Sequence, residues 1–181
     1  MKGTIVIALQ DLVKNKFGQE KWINILKKSD LPTDKVFYAH HDVDDSIFMT
    51  LLQNTCKVLG ITLEQVAEAF GNYWMNEYAP KKYFAFFIGK RTAKEFLLDM
   101  DRVHSKMVDK IENARPPRFE FEELDDNKIT MSYSSHRGLE LIWIGLIKGV
   151  GRYFKEDIKI KKIGKNKVEL TFSKIKQINI W

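Results

Sequence analysis

Two groups of residues could do chemistry by type and spacing. His104 falls on the apolar stripe of a helical pattern in which Phe96, Leu97, Met100, Val103, Met107 and Ile111 recur at a 3.6-residue period. It lies four residues after Met100 and three before Met107, so its imidazole points inward with the stripe. A neutral imidazole on a rigid helix is a metal ligand, and a common proximal ligand to haem iron. A histidine in that position is also, more often, a satisfied core residue. Further on, Tyr133-Ser134-Ser135-His136-Arg137 reads Y-x-S-x-R, and on an extended strand a period of two places Tyr133, Ser135 and Arg137 on one face. A phenol, a hydroxyl and a guanidinium aimed together suit a dicarboxylate, with Arg137 able to bind one carboxylate bidentately. The same alternation also describes an ordinary solvent-facing strand. A third run, His40-His41-Asp42-Val43-Asp44-Asp45, has metal-ligand residue types, but acids at the start of a helix are equally the expected match to its dipole.

These side chains depend on the elements that carry them. Apolar spacing predicts helices from Gly3 to Phe17, from Glu20 to Lys28 and from Ile47 to Leu59, the last opened by Asp44-Asp45-Ser46 and stopped by Gly60. Thr62 with Gln65 makes a capping box for a helix through Val66, Phe70 and Trp74, and Pro80 breaks that pattern. The helix bearing His104 follows Thr92 and is ended by Pro116-Pro117. From Arg118 the period becomes two. Phe119 and Phe121, then Ile129, Met131 and Tyr133, make a hairpin turned at Asp125-Asp126-Asn127. A helix from Gly138 to about Phe154 precedes a second hairpin, turned at Gly164-Lys165-Asn166. The expectation is one α+β domain, helical first and sheet-bearing later.

Composition narrows the class. With 181 residues, 44% hydrophobic, four prolines and ten glycines, the chain is long enough for one self-sufficient core and too ordered in composition for a linker or collagen. Its apolar runs fall far short of a bilayer span, and the first residues lack a secretory cleavage pattern. Cys56 is the single cysteine, which excludes an internal disulfide or a cysteine-built metal site and fits a reducing, cytoplasmic setting. The net charge of +6 is concentrated late, with eight lysines between Lys155 and Lys176. A solvated hairpin explains them, and no nucleic-acid motif accompanies them.

In their order and spacing, several residues together resemble a known family. Met1-Lys2-Gly3-Thr4-Ile5-Val6 opens the chain, His104 stands on its helix, Pro116-Pro117 follows about a dozen residues later, and the Tyr133, Ser135, Arg137 triplet comes next. The chain resembles the H-NOX (haem nitric oxide/oxygen-binding) domain, related to the sensor domain of soluble guanylate cyclase, over essentially its whole length. That resemblance implies a helical distal subdomain of about residues 1–60, a proximal subdomain with the sheet of about 61–181, and haem b between them. It implies His104 as the axial iron ligand, propionates held by Tyr133, Ser135 and Arg137, and Pro117 bending the macrocycle. Ile5, Leu9, Trp74, Ile142 and Leu146 match the distal pocket, and Met100 is expected beside the cofactor.

Family members that hold oxygen stably carry a tyrosine where this chain has Ile142. An apolar pocket favours nitric oxide and carbon monoxide, which need a hydrogen-bond donor less than oxygen does. Trp74 has an indole donor, and Tyr73, Tyr78 and Tyr83 lie close in sequence as replacements. The implied function is gas sensing without catalysis, signalled by release of His104 and movement of its helix. The implied receiver is a histidine kinase, a cyclic-di-GMP enzyme or a chemotaxis receptor, with no nucleic acid and no membrane span. Asp45 is expected to pair with Arg137, and His136 to point away from the propionates. Two other classes compete: a metal-dependent hydrolase using His40, His41, Asp42 and Asp44, and a nucleic-acid module using the late lysines.

Overall fold

The computed structural model describes residues 1–174, so Lys176 and the last residues of the expected proximal subdomain lie outside the described residues. Four helices come first: α1 (Gly3–Phe17), α2 (Gln19–Lys28), α3 (Asp45–Leu59) and α4 (Leu63–Tyr73). The caps are local and legible. Asp44 accepts the Ser46 amide at 2.7 Å, and Thr62 and Gln65 form the reciprocal capping box. Their apolar faces converge on Val6, Leu9, Leu12, Trp22, Ile25, Phe48, Leu51 and Phe70, all buried. Burying each of the large side chains contributes roughly 1.5–3 kcal/mol, which anchors helices too short to persist alone.

Beyond α4 the chain departs from the simple pattern. Trp74–Tyr78 winds as a π-helical turn and runs into α5 (Ala79–Lys82). Pro80 does not break the helix as expected but sits in the first turn of α5, directly after the π-turn. The single helix expected after Thr92 is two, α6 (Ala93–Leu98) and α7 (Met100–Lys110). They part at Asp99, whose carboxylate is held by Lys90 at 2.9 Å and by Arg102.

Strands β1 (Arg118–Asp125), β2 (Lys128–Ser134), β3 (Glu156–Gly164) and β4 (Lys167–Lys174) form one antiparallel sheet in the order β1-β2-β4-β3. Both expected hairpins are present, and α8 (Glu140–Phe154) lies between them in sequence. The inward residues Ile129, Met131, Val168 and Leu170 pack with Trp143, Ile147 and Val150 of α8 and with Phe96 and Leu97 of α6. Ile142 belongs instead to the first core, so α8 joins the two.

The joint is unusually close. A Cβ on Gly145 of α8 would lie 2.1 Å from the Ala67 carbonyl oxygen of α4, and one on Gly71 would lie 2.0 Å from that of Gly145. Only glycine permits backbone to approach backbone this way. Glu68 of α4 adds ion pairs to Lys148, at 2.7 Å, and Arg152 of α8. Val66, Ala67, Phe70 and Tyr73, which follow residue 60, pack in the first core. Among the described residues no helix is long and apolar enough to cross a membrane.

Candidate functional site

A cavity of about 280 Å³ opens between the two cores. Ile5 of α1, Phe70 of α4 and Trp74 of the π-turn border it from the helical side. Ile142, Trp143 and Leu146 reach it from α8, His104 and Met107 from α7, Phe119 and Tyr133 from the sheet, and Pro116 and Pro117 from the segment between. The lining surface is mostly apolar, and Ser135 and Arg137 are among the residues that bring polar groups to it.

His104 is bound on one side only. Its Nδ1 stands 3.0 Å from the Pro117 carbonyl oxygen, which can only accept, so Nδ1 carries the proton. Nε2 is therefore the nitrogen with a free lone pair, and among the described residues nothing bonds to it. Burial lowers the imidazole pKa below its ordinary value, and the Pro117 carbonyl and Asp101 only partly oppose this, so the ring is neutral at pH 7. Its helix is tied to the sheet. Asp101 accepts Arg118 through both oxygens, at 2.6 and 2.8 Å, and the Phe119 amide at 2.9 Å, while the Phe119 ring lies 5.3 Å from the imidazole. Arg118 holds the Asp101 carboxyl below the usual range.

The triplet is brought together, but not on one strand face as expected. β2 ends at Ser134, and the chain then turns: the Arg137 amide donates to Ser135 Oγ at 3.2 Å, and Gly138 at φ +64° takes the left-handed conformation that leads into α8. Tyr133, Ser135 and Arg137 all still border the cavity. Arg137 spends Nε on Asp45, at 3.0 Å, and Nη1 on the Arg115 carbonyl. Among the described residues its remaining N–H groups have no partner, which leaves them for a carboxylate. The Asp45 pairing expected from sequence is thus formed across 92 residues. Burial pushes the Asp45 carboxyl up, but bonds from the Met1 nitrogen, at 2.6 Å, and from Arg137 outweigh it and hold the group low. His136 is exposed, 3.3 Å from Asp45, and does not border the cavity.

Two expected lining residues are elsewhere. Leu9, one turn beyond Ile5, is fully buried in the helical core, where α1 packs against α2 and α4, and it does not border the cavity. Met100 opens α7 and packs against the sheet core. Conversely Met107, Phe119, Trp143 and Thr4 border the cavity without a role expected from sequence, and Tyr83, expected only as a replacement donor, borders it too. Met107 could have been, since it follows His104 by three on the same helix face. Trp143 stacks on Tyr133, with ring centroids 5.1 Å apart and planes 15° apart, and its Nε1 is buried without a partner.

The competing clusters are differently engaged. Asp44 caps α3, Asp42 pairs with Lys2 at 2.7 Å, and among the described residues no three His, Cys, Asp or Glu side chains stand together as a metal site. Of the late lysines, Lys162 pairs with Glu140 at 2.9 Å, and Lys161 sits opposite Glu169 in the sheet.

Residues 2–162 match the family model described as Haem-NO-binding. Among curated relatives, the soluble guanylate cyclases gcy-34 and gcy-32 of Caenorhabditis elegans are 27% identical over 88% and 28% identical over 87% of the chain. The chain spans about a quarter (24%) of the length of these relatives. Among solved structures it is similar to a Cs H-NOX variant carrying 4-cyano-L-phenylalanine, with TM-score 0.86, 25% identity and coverage of 95% of this chain and 96% of that one. An oxygen-binding H-NOX domain related to soluble guanylate cyclases, in its oxygen complex, matches with TM-score 0.82, 26% identity and 95% coverage of both chains. A mutant of T. tengcongensis H-NOX matches with TM-score 0.85, 25% identity and coverage of 95% and 97%.

Proposed function

The chain belongs to the haem-NO-binding (H-NOX) family of haem-based gas sensors, and on that premise we propose that it holds haem b through His104 and reports nitric oxide to a separate or attached signalling partner. The observation that carries the reading is the state of His104: neutral, with Nδ1 committed to the Pro117 carbonyl and Nε2 free, on the edge of an apolar cavity. A partner fixed on one ring nitrogen is the usual arrangement behind a metal-ligating histidine.

The donor set fits haem at its other end as well. Arg137 keeps unused N–H groups, and Ser135 and Tyr133 join it beside the apolar lining, which suits a flat macrocycle with two carboxylates. Pro117 serves twice, orienting His104 through its carbonyl and bordering the cavity with its ring, where it would press on the macrocycle. Haem, when bound, supplies the iron that takes the gas.

The chain's own residues do the rest. Ile5, Trp74, Ile142 and Leu146 make the pocket on the gas side, and the aliphatic Ile142 favours nitric oxide and carbon monoxide over stable oxygen binding. His104 would hold the haem through Nε2, and its release would free α7. Through Asp101 and Arg118 that movement would reach the sheet, and through Arg137 and Asp45 it would reach α3, so that the helical part of about residues 1–60 and the proximal remainder would shift against each other. This is a population shift and not catalysis. The receiver is a histidine kinase, a cyclic-di-GMP enzyme or a chemotaxis receptor in the cytoplasm.

The test is an absorption spectrum of protein expressed with haem, reduced anaerobically and recorded before and after nitric oxide. A strong Soret band that moves to a five-coordinate position supports both haem ligation and His104 release. Absence of a Soret band under haem-replete conditions would overturn the proposal.

A further inference from the structure

We propose that Thr4 is a hydrogen-bond donor to the gas bound in this cavity and sets how long a polar diatomic, oxygen above all, is retained; the inference rests on the haem reading above. Thr4 Oγ1 stands 3.0 Å from the Tyr78 hydroxyl and 3.1 Å from the Tyr83 hydroxyl. The three hydroxyls carry three protons, and their two mutual hydrogen bonds use two. One proton is left over, and among the described residues no carbonyl or carboxylate receives it.

Chemistry decides which hydroxyl keeps it. A phenol, with a pKa near 10, is the stronger acid and the better donor, and an aliphatic hydroxyl is the better acceptor. Tyr78 and Tyr83 therefore both donate to Thr4, whose own proton is unspent. The phenols are held for this, since Trp74 packs against both rings, at 5.2 Å from Tyr78 and 6.0 Å from Tyr83. The π-turn from Trp74 to Tyr78 places the first of them. Thr4 is held too, its amide donating to the Ala39 carbonyl at 3.1 Å. Thr4 and Tyr83 border the cavity beside Ile5 and Trp74, whereas Tyr78, buried, does not. The pocket that is apolar at Ile142 thus gains a donor from α1 on another side.

The assay is the C–O stretching band of the reduced, carbon monoxide-loaded protein, together with the oxygen dissociation rate. A donor at the far atom of the ligand draws electrons into the antibonding orbital and lowers the stretch. The double variant Thr4→Val/Tyr83→Phe removes both cavity-facing hydroxyls. Its band is expected at higher wavenumber, with oxygen lost about 2- to 12-fold faster, the range of one ordinary hydrogen bond. Tyr83→Phe alone keeps the Thr4 proton and is expected to match the unmodified protein, as is Thr4→Ser. An unmoved band in the double variant overturns the proposal. So does a full shift in Tyr83→Phe alone, which assigns the donor to the phenol. A protein without a Soret band overturns the haem reading, and this inference with it, whereas a haem-loaded protein with an unmoved band overturns the inference alone.

Discussion

Replacing Gly145 by alanine tests whether the two cores are joined by the backbone contact between α4 and α8. The new Cβ would stand 2.1 Å from the Ala67 carbonyl oxygen, 2.5 Å from its carbon and 3.1 Å from the Glu68 nitrogen. All three are backbone atoms of a helix, so no side chain can swing away, and α4 must retreat by more than an ångström before the methyl reaches ordinary contact. Overpacking of this kind costs about 1–3 kcal/mol, and the absence of a yielding neighbour argues for the upper end. Alanine returns about 1 kcal/mol through better helix propensity. The expected net loss is about 2 kcal/mol, which for a chain of this size lowers Tm by roughly 4–8 °C. Thermal unfolding of the haem-free protein, followed by circular dichroism at matched concentration, measures it without a ligand contribution. A variant as stable as the parent, or more stable, would refute the close-crossing argument, because propensity alone would then have decided the outcome. Ile142 and Leu146 flank the substitution, so the same variant is expected to alter the gas-binding kinetics of the loaded protein.

Three further outcomes follow from the site. His104→Gly is expected to lose the nitric oxide response and to regain haem binding with added imidazole; haem retained with unchanged ligand spectra in the plain variant would contradict the ligand assignment. Ile142→Tyr places a phenol beside the cavity and is expected to slow oxygen loss by about 2- to 12-fold, read by stopped flow; an unchanged rate would sink the selectivity argument. Asp45 has a folded-state pKa below its ordinary 3.8, so the stability it lends is present above about pH 3.8 and is lost as pH falls through the lower folded value. The stability gap between the parent and Asp45→Asn in urea is therefore expected to be open at pH 7 and to close under stronger acid; a gap of constant size would refute the pairing as its source.

Much of the fold was legible because its signals are local. The Thr62 and Gln65 box, the Asp44 cap and the two hairpin turns depend on residues within a few positions of each other. The departures come from polar side chains and turn residues that hydrophobic spacing does not describe. Asp99 divides a continuous apolar stripe because its carboxylate gathers Lys90 and Arg102, and periodicity does not register that. The triplet leaves the strand after Ser134 because the Ser135 hydroxyl and Gly138 favour a turn. The site shows the same division. His104, Pro117, Tyr133, Ser135 and Arg137 were recognisable from their order along the chain, and all border one cavity. Leu9 was misplaced because matching a position says which helix a residue occupies and not which of two adjacent hydrophobic volumes its turn faces.

By itself the sequence determined residue types, the periods that make helices and strands, the order of the candidate ligands, and an aliphatic side chain at position 142. Each of these rests on spacing along the chain or on the chemistry of one side chain. Only the tertiary structure decided that Nδ1 of His104 meets the Pro117 carbonyl, that Arg137 keeps donors to spare among the described residues after Asp45 and Arg115 are satisfied, and that Thr4 collects two phenols, one from the π-turn and one from just after α5. A hydrogen bond depends on distance and direction between groups as far apart as Asp45 and Arg137, 92 residues, and packing two cores against one helix is what sets both.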